Sequence, residues 1–215
     1  MQLILTSLSP DLTQAWTASC GDLDFVSVHH GSIFEVSCDA VLSPANSFGF
    51  MNGGIDLFYS RYFGWHVQER LQQAIRQYHH GELLVGMAEI VSTDHREIPY
   101  LIAAPTMRMP QTITESVNPY LAARAAFILW KYGRFRDGPQ AGQPIAEHVR
   151  TLALPGLGTG VGSVAPEICA RQVRAAIDDI LREQFTYPET WGQVLERHEG
   201  FLGHPLTKPS AQPFD

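Results

Sequence analysis

Short apolar runs alternate with amphipathic segments along most of the chain. The runs at residues 3–5 (LIL), DFVSVHH, DAVLSPA, GMAEIVST, PYLIAAP and RTLALPG have the length and the Val, Ile, Leu and Phe content of strands. After the first run, Ser9 and Pro10 supply a helix cap and a first helical residue. One helical stretch begins at about Asp56. In a second, Val67, Leu71, Ala74, Ile75 and Tyr78 recur on one helical face. Asn118 and Pro119 open a further helix, with an expected apolar stripe of Leu121, Ala125, Ile128, Leu129 and Tyr132 and a stop at Gly133. The last long helix starts near Pro166 and turns Cys169, Val173, Ile177, Ile180 and Leu181 inward. Strands alternating with helices in this way predict an α/β layer fold around a buried, mostly parallel sheet.

The texture changes from about Phe185. Pro188, Pro205, Pro209 and Pro213 punctuate the remainder, so residues 185–215 read as a Pro-rich extension with one short helix near 190–197 and a loosely tied end. Residues 134–144 read as an exposed loop. With 215 residues, one domain is expected. A composition 45% apolar and 17% charged is globular, and a formal charge of −7 argues against a surface that tracks nucleic-acid phosphates. Cys20, Cys38 and Cys169 are far apart and odd in number, so no zinc knuckle or disulfide framework is expected. No signal segment and no membrane span is expected, and the sequence reads as that of a soluble cytoplasmic protein.

The chemistry concentrates in LALPGLGTGVGSVAPEIC, where Gly156, Gly158, Gly160 and Gly162 fall at every second position between a strand and a helix. Such a loop offers successive backbone N–H groups and a helix N-terminus to an anion. It is not a triphosphate loop, because no lysine follows its glycines. It is not a dinucleotide fingerprint either: Val161 and Ser163 stand where the third glycine belongs. A second stretch, DAVLSPANSFGFMNGGID, repeats the order strand, polar turn, glycines, helix, with Asn46 just after the strand and Asp56 in the first helical turn. Two such loops at two strand ends suit a long, bis-anionic ligand. The histidines show no metal-ligand spacing, and core, capping or surface roles are expected of them, His66 lying behind the first loop. Phe63 and Trp65 read as core.

Three blocks together, HHGSIFEVSCDAVLSPANS, GFMNGGID and LALPGLGTGVGSVAPE, resemble the macro domain, the ADP-ribose-binding module, over roughly residues 25–184. The resemblance implies a three-layer α/β/α fold with a mixed, mostly parallel central sheet, residues 1–184 forming the domain and 1–24 an added strand and helix. It implies a diphosphate held by backbone at Gly53, Gly54 and Ile55 on one side and Gly158, Thr159, Gly160 and Val161 on the other. Backbone donors suit a chain whose only lysines are Lys131 and Lys208. Asn46 matches the residue that bonds the distal ribose, and Asp56 the acidic residue beside it in hydrolytic members. Ala45 and Ile33 complete the implied binding set.

The pattern departs from the family at named places. Ser32 stands where the family has an Asp for the adenine amine, and Gly162 where an aromatic packs on the distal ribose. The usual last strand, with its adenine-stacking aromatic, is not visible after the final helix; Phe185, Tyr187, Trp191 and Phe201 are the candidates to replace it. Arg108 is either a phosphate ligand or a solvated side chain.

The expected function is binding of ADP-ribose or an ADP-ribosylated macromolecule, with hydrolysis at the distal ribose by Asp56 and Asn46. The alternatives are a non-catalytic reader and a binder of a related nucleotide. Lys131 and Lys208 lie off the binding loops, which argues against amine attack. No metal, cofactor, membrane or sequence-specific nucleic acid is expected to take part.

Overall fold

A computed structural model describes residues 1–203. Six strands form one sheet: β1 (Gln2–Ser7), β2 (Val26–His30), β3 (Ala40–Ser43), β4 (Glu89–Ser92), β5 (Tyr100–Ala103) and β6 (Thr151–Leu154). Their order across the sheet is β2-β1-β6-β3-β5-β4. All neighbours are parallel except the edge strand β4, which runs antiparallel to β5. The expected mixed, mostly parallel sheet is thus present. The N-terminal strand lies inside the sheet. β1 pairs with β2 on one side and β6 on the other, and among the described residues no strand follows the last sheet helix.

Seven helices surround the sheet in the described residues: α1 (Pro10–Cys20), α2 (Gly54–Phe63), α3 (His66–Tyr78), α4 (Asn118–Tyr132), the short α5 (Ile145–His148), α6 (Pro166–Ala176) and α7 (Trp191–Leu202). Strand side chains alternate between the faces, as the two-residue period requires. Leu3, Leu5, Leu42, Leu152 and Leu154 point into a core with Trp16 of α1, Phe127 and Trp130 of α4 and Val173 of α6. Val41, Leu101 and Ala153 point the other way, onto Tyr59 and Phe63 of α2 and Val67, Leu71 and Ile75 of α3. This is the three-layer α/β/α arrangement.

Local signals mostly act as read. Ser9 caps α1, its hydroxyl oxygen accepting the Leu12 N–H, and the short helix expected near 190–197 is α7, which runs on to Leu202 with the Thr190 hydroxyl accepting the Gln193 N–H. Residues 134–144 connect α4 to α5 and are largely exposed, though Phe135 is buried. Three readings need correction. The deep face of α4 is Tyr120, Ala123, Ala126, Phe127 and Trp130, whereas Leu121, Ile128 and Leu129 are half-buried and Tyr132 is exposed. The helix is apolar nearly all round, so spacing alone does not select a face. Asn118 does not cap α4 either; its side-chain amide donates to the Thr106 carbonyl at 2.8 Å, tying the helix start to the chain beyond β5. Trp65 is 49% exposed, unlike its core neighbour Phe63.

Candidate functional site

A cleft of about 580 Å³ opens along the carboxyl ends of the parallel strands, where ligands bind in open α/β sheets. Residues following β2, β1, β6, β3 and β5 all reach it. The helices α1, α2 and α6 begin at its walls, with Ser9, Gly53 and Gly54, and Pro166 in the lining. The two loops and the strand ends bring Ser32, Ile33, Ala45, Asn46, Gly53, Gly54, Ile55, Asp56, Gly158, Thr159, Gly160, Val161 and Gly162 together here. Asp56 carries the one acidic or basic side chain among the described residues of the lining. Positive potential therefore comes from peptide N–H groups and helix N-termini and not from cationic side chains.

The loop 155–165 is shaped by packing. Gly158 has φ +70°, a left-handed conformation that costs a residue with a Cβ. A Cβ at Gly162 would lie 2.5 Å from the Gly158 carbonyl oxygen and 2.7 Å from Ile113. The Ile113 N–H donates to the Gly162 carbonyl at 2.8 Å, and Val164 N–H to the Gly158 carbonyl at 3.0 Å. The aromatic residue that the resemblance would put at position 162 thus has no room here. By contrast, a Cβ at Gly160 would meet nothing within 4 Å.

The loop 46–53 is held by side chains. The Asn46 carbonyl oxygen accepts the N–H groups of Phe48 and Phe50, and its amide donates to the Phe50 carbonyl at 2.7 Å. Gln68 accepts the Met51 N–H at 2.7 Å, and the Ser60 hydroxyl donates to the Met51 carbonyl at 2.8 Å. Gly53 and Gly54 then open α2 with free space on both. In the first turn of α2, Asp56 is buried and accepts the Ser43 hydroxyl at 2.6 Å. Burial pushes its carboxyl up to about 7, and the Ser43 hydrogen bond acts in the opposite direction.

Several residues that sequence reasoning did not single out line the same cleft. Thr6, Ser7, Leu8, Ser9 and Leu12 come from the N-terminal strand and helix. Phe50, Asn52 and Phe58 come from the first loop and α2, and Phe50, Phe58 and Leu8 are exposed apolar side chains. The signal was present at Ser9–Pro10, a strand end followed by a capped helix, the same grammar as the two glycine loops without the glycines.

Other candidates do not belong here. Arg108 donates two hydrogen bonds to Glu82 and lies over the Phe48 ring. Phe185, Tyr187, Trp191 and Phe201 are absent from the lining, Phe201 stacking instead on Tyr120 with centroids 4.3 Å apart. Lys131 donates to the Ile180 and Leu181 carbonyls at the end of the turn after α6, away from the cleft. Lys208 lies outside the described residues. The ring Nε2 of His66 sits 3.0 Å from the Thr93 carbonyl, and His79 pairs with the buried Glu89 at 2.9 Å.

With this geometry, a protein-family model described as Macro domain matches residues 42–173, and the chain belongs to that family. An uncharacterised protein of Aquifex aeolicus is 31% identical over 146 residues, 68% of this chain and 76% of that one. Among solved structures, the macrodomain of Mycobacterium tuberculosis DarG aligns with a TM-score of 0.55 at 17% identity, covering 69% of this chain and 87% of that one. A variant of the Oceanobacillus iheyensis macrodomain solved with ADP-ribose aligns with a TM-score of 0.55 at 15% identity, covering 84% and 78%. These two structural likenesses are likenesses of fold.

Proposed function

We propose that the chain binds ADP-ribose, or an ADP-ribosyl group on a larger molecule, in this cleft and hydrolyses the bond at the distal ribose. The observation that carries this reading is a cleft walled by two glycine-rich loops and three helix N-termini, with no cationic side chain in its described lining. Such a wall suits a diphosphate met by peptide dipoles at Gly53, Gly54 and Ile55 and at Gly158, Thr159, Gly160 and Val161. Family membership and a fold neighbour solved with ADP-ribose support the same ligand.

In the proposed reaction the distal ribose lies at the Asn46 and Asp56 end. The bond from the anomeric carbon to the leaving group breaks through an oxocarbenium-like state with its electron pair staying on the leaving group, and a water oxygen bonds to that carbon while a proton of the water passes to the Asp56 carboxylate and on to the leaving group. A carboxyl poised near 7 suits proton transfer at neutral pH, and the Ser43 hydrogen bond fixes its orientation. Asn46 acts by holding the first loop and leaves one amide hydrogen for a ribose hydroxyl.

A reader without chemistry is the second reading. It is favoured by the engagement of both groups within the protein, Asn46 with its loop and Asp56 with Ser43. Release of ADP-ribose from mono-ADP-ribosylated protein and nucleic acid separates the two. The wild type is expected to release it, and Asp56→Asn to bind without release; a wild type that binds but never releases is a reader.

We also assign the protein to a reducing cytoplasm. Cys20, Cys38 and Cys169 are all free and buried, with burial pushing each thiol up to about 12. No helix of the described residues is long and apolar enough to cross a membrane.

A further inference from the structure

Resting on the binding reading above, we infer that the base end of the cleft does not select for the amino group of adenine and takes a base carrying a ring carbonyl at that position equally well. The strands reach the cleft in the order β2, β1, β6, β3, β5, so its two ends are roughly 19 Å apart at ordinary strand spacing. The β3 side holds the polar groups suited to a ribose, Asn46 and Asp56. The β2 and β1 side holds Ile33, Phe34, Leu8 and Leu12 with three serine hydroxyls, and no amide or carboxylate among the lining residues there. Leu8 is 77% exposed among the described residues and offers apolar surface to the cleft. Flat apolar surface with a few hydroxyls fits a base better than it fits a sugar.

Ser32 decides which edge of a base is read. Its oxygen accepts the Phe34 N–H at 3.3 Å, and its own N–H donates to the Glu35 carboxylate at 3.0 Å, closing a capping box. Among the described residues the Ser32 hydroxyl has no acceptor for its own hydrogen. Ser32 lines the cleft, and its hydroxyl can turn that hydrogen to an acceptor that enters there. The amino group of adenine donates and a ring carbonyl accepts, and a single neutral hydroxyl can serve either. The oxygen retains a second lone pair, so an amine is tolerated but not required.

Titration calorimetry with ADP-ribose and inosine diphosphate ribose, on the wild type and on Ser32→Asp, tests this. Asp is a good cap, so the Phe34 N–H keeps its partner and the turn is retained. The wild type is expected to favour ADP-ribose by less than about fivefold, near the worth of one ordinary hydrogen bond. Ser32→Asp is expected to shift the ratio towards ADP-ribose by about tenfold or more, since a carboxylate accepts from the amine and repels the carbonyl. A wild-type preference for ADP-ribose above about fivefold overturns the inference while leaving the cleft reading intact. If neither ligand binds, the cleft reading itself falls.

Discussion

Loop 155–165 keeps its shape by exclusion, and loop 46–53 keeps its shape by hydrogen bonds. In the first case, Ile113 and the loop's own backbone fill the space that side chains at Gly158 and Gly162 would need. In the second, Asn46, Gln68 and Ser60 tie the backbone at Phe48, Phe50 and Met51. Both loops nevertheless present open glycines to one cleft: Gly160 from one, Gly53 and Gly54 from the other. Glycine therefore does two jobs in this protein. At 158 and 162 it lets the loop fold, at 53 and 160 it leaves room for a ligand, and at 54, with φ +54°, it does both.

The widest contrast is in pH dependence, because the ionisable group sits beside the hydrogen-bonded loop. Asp56 is held near 7 in the folded chain against 3.8 as its ordinary value. Between these values the folded state holds a proton that the unfolded chain has lost, so stability falls as pH rises through the window. Above it the cost is constant. Asp56→Asn removes this slope and at pH 8 is expected to be more stable than wild type by as much as about 4 kcal/mol. Urea melts of both proteins at pH 4.5 and pH 8 check this; parallel pH profiles would mean that Asp56 is ionised in the fold.

Gly162→Ala strikes the sterically shaped loop. It is expected to lower stability by about 2–3 kcal/mol, because the added carbon meets the Gly158 backbone, which cannot turn aside, as well as the Ile113 side chain. An unchanged denaturation midpoint would show that the loop has slack. Asn46→Ala removes three hydrogen bonds from the other loop and is expected to cost about 1–3 kcal/mol and to weaken ligand binding with it. Gly160→Ala is expected to change stability by less than about 0.5 kcal/mol, as for an unobstructed site. The same substitution should weaken ADP-ribose binding, which calorimetry reads directly; loss of stability there would erase the distinction between the two kinds of glycine.

The strand and helix succession was legible because caps and apolar runs are local signals, as at Ser9–Pro10. The glycine positions of the cleft were legible because a bare backbone at two strand ends has few other uses. What stayed hidden depends on contacts between distant parts of the chain. That β1 lies between β2 and β6 follows from parallel pairing across more than a hundred residues, and so the contribution of Leu8 and its neighbours to the cleft was not foreseen. The crowding at Gly162 comes from Ile113, far away in sequence. The buried face of α4 was misjudged because apolar residues nearly encircle it. The neutralisation of Arg108 by Glu82 likewise has no local trace.

The central claim is that a cleft without cationic side chains in its described lining holds a diphosphate by backbone. Titration of the wild type with ADP-ribose, against AMP, ADP and NAD, tests it most directly. The account predicts one site filled at sub-millimolar concentration, ADP competing for it and AMP binding much more weakly. No ADP-ribose binding in that range, or equal binding of AMP, would contradict it.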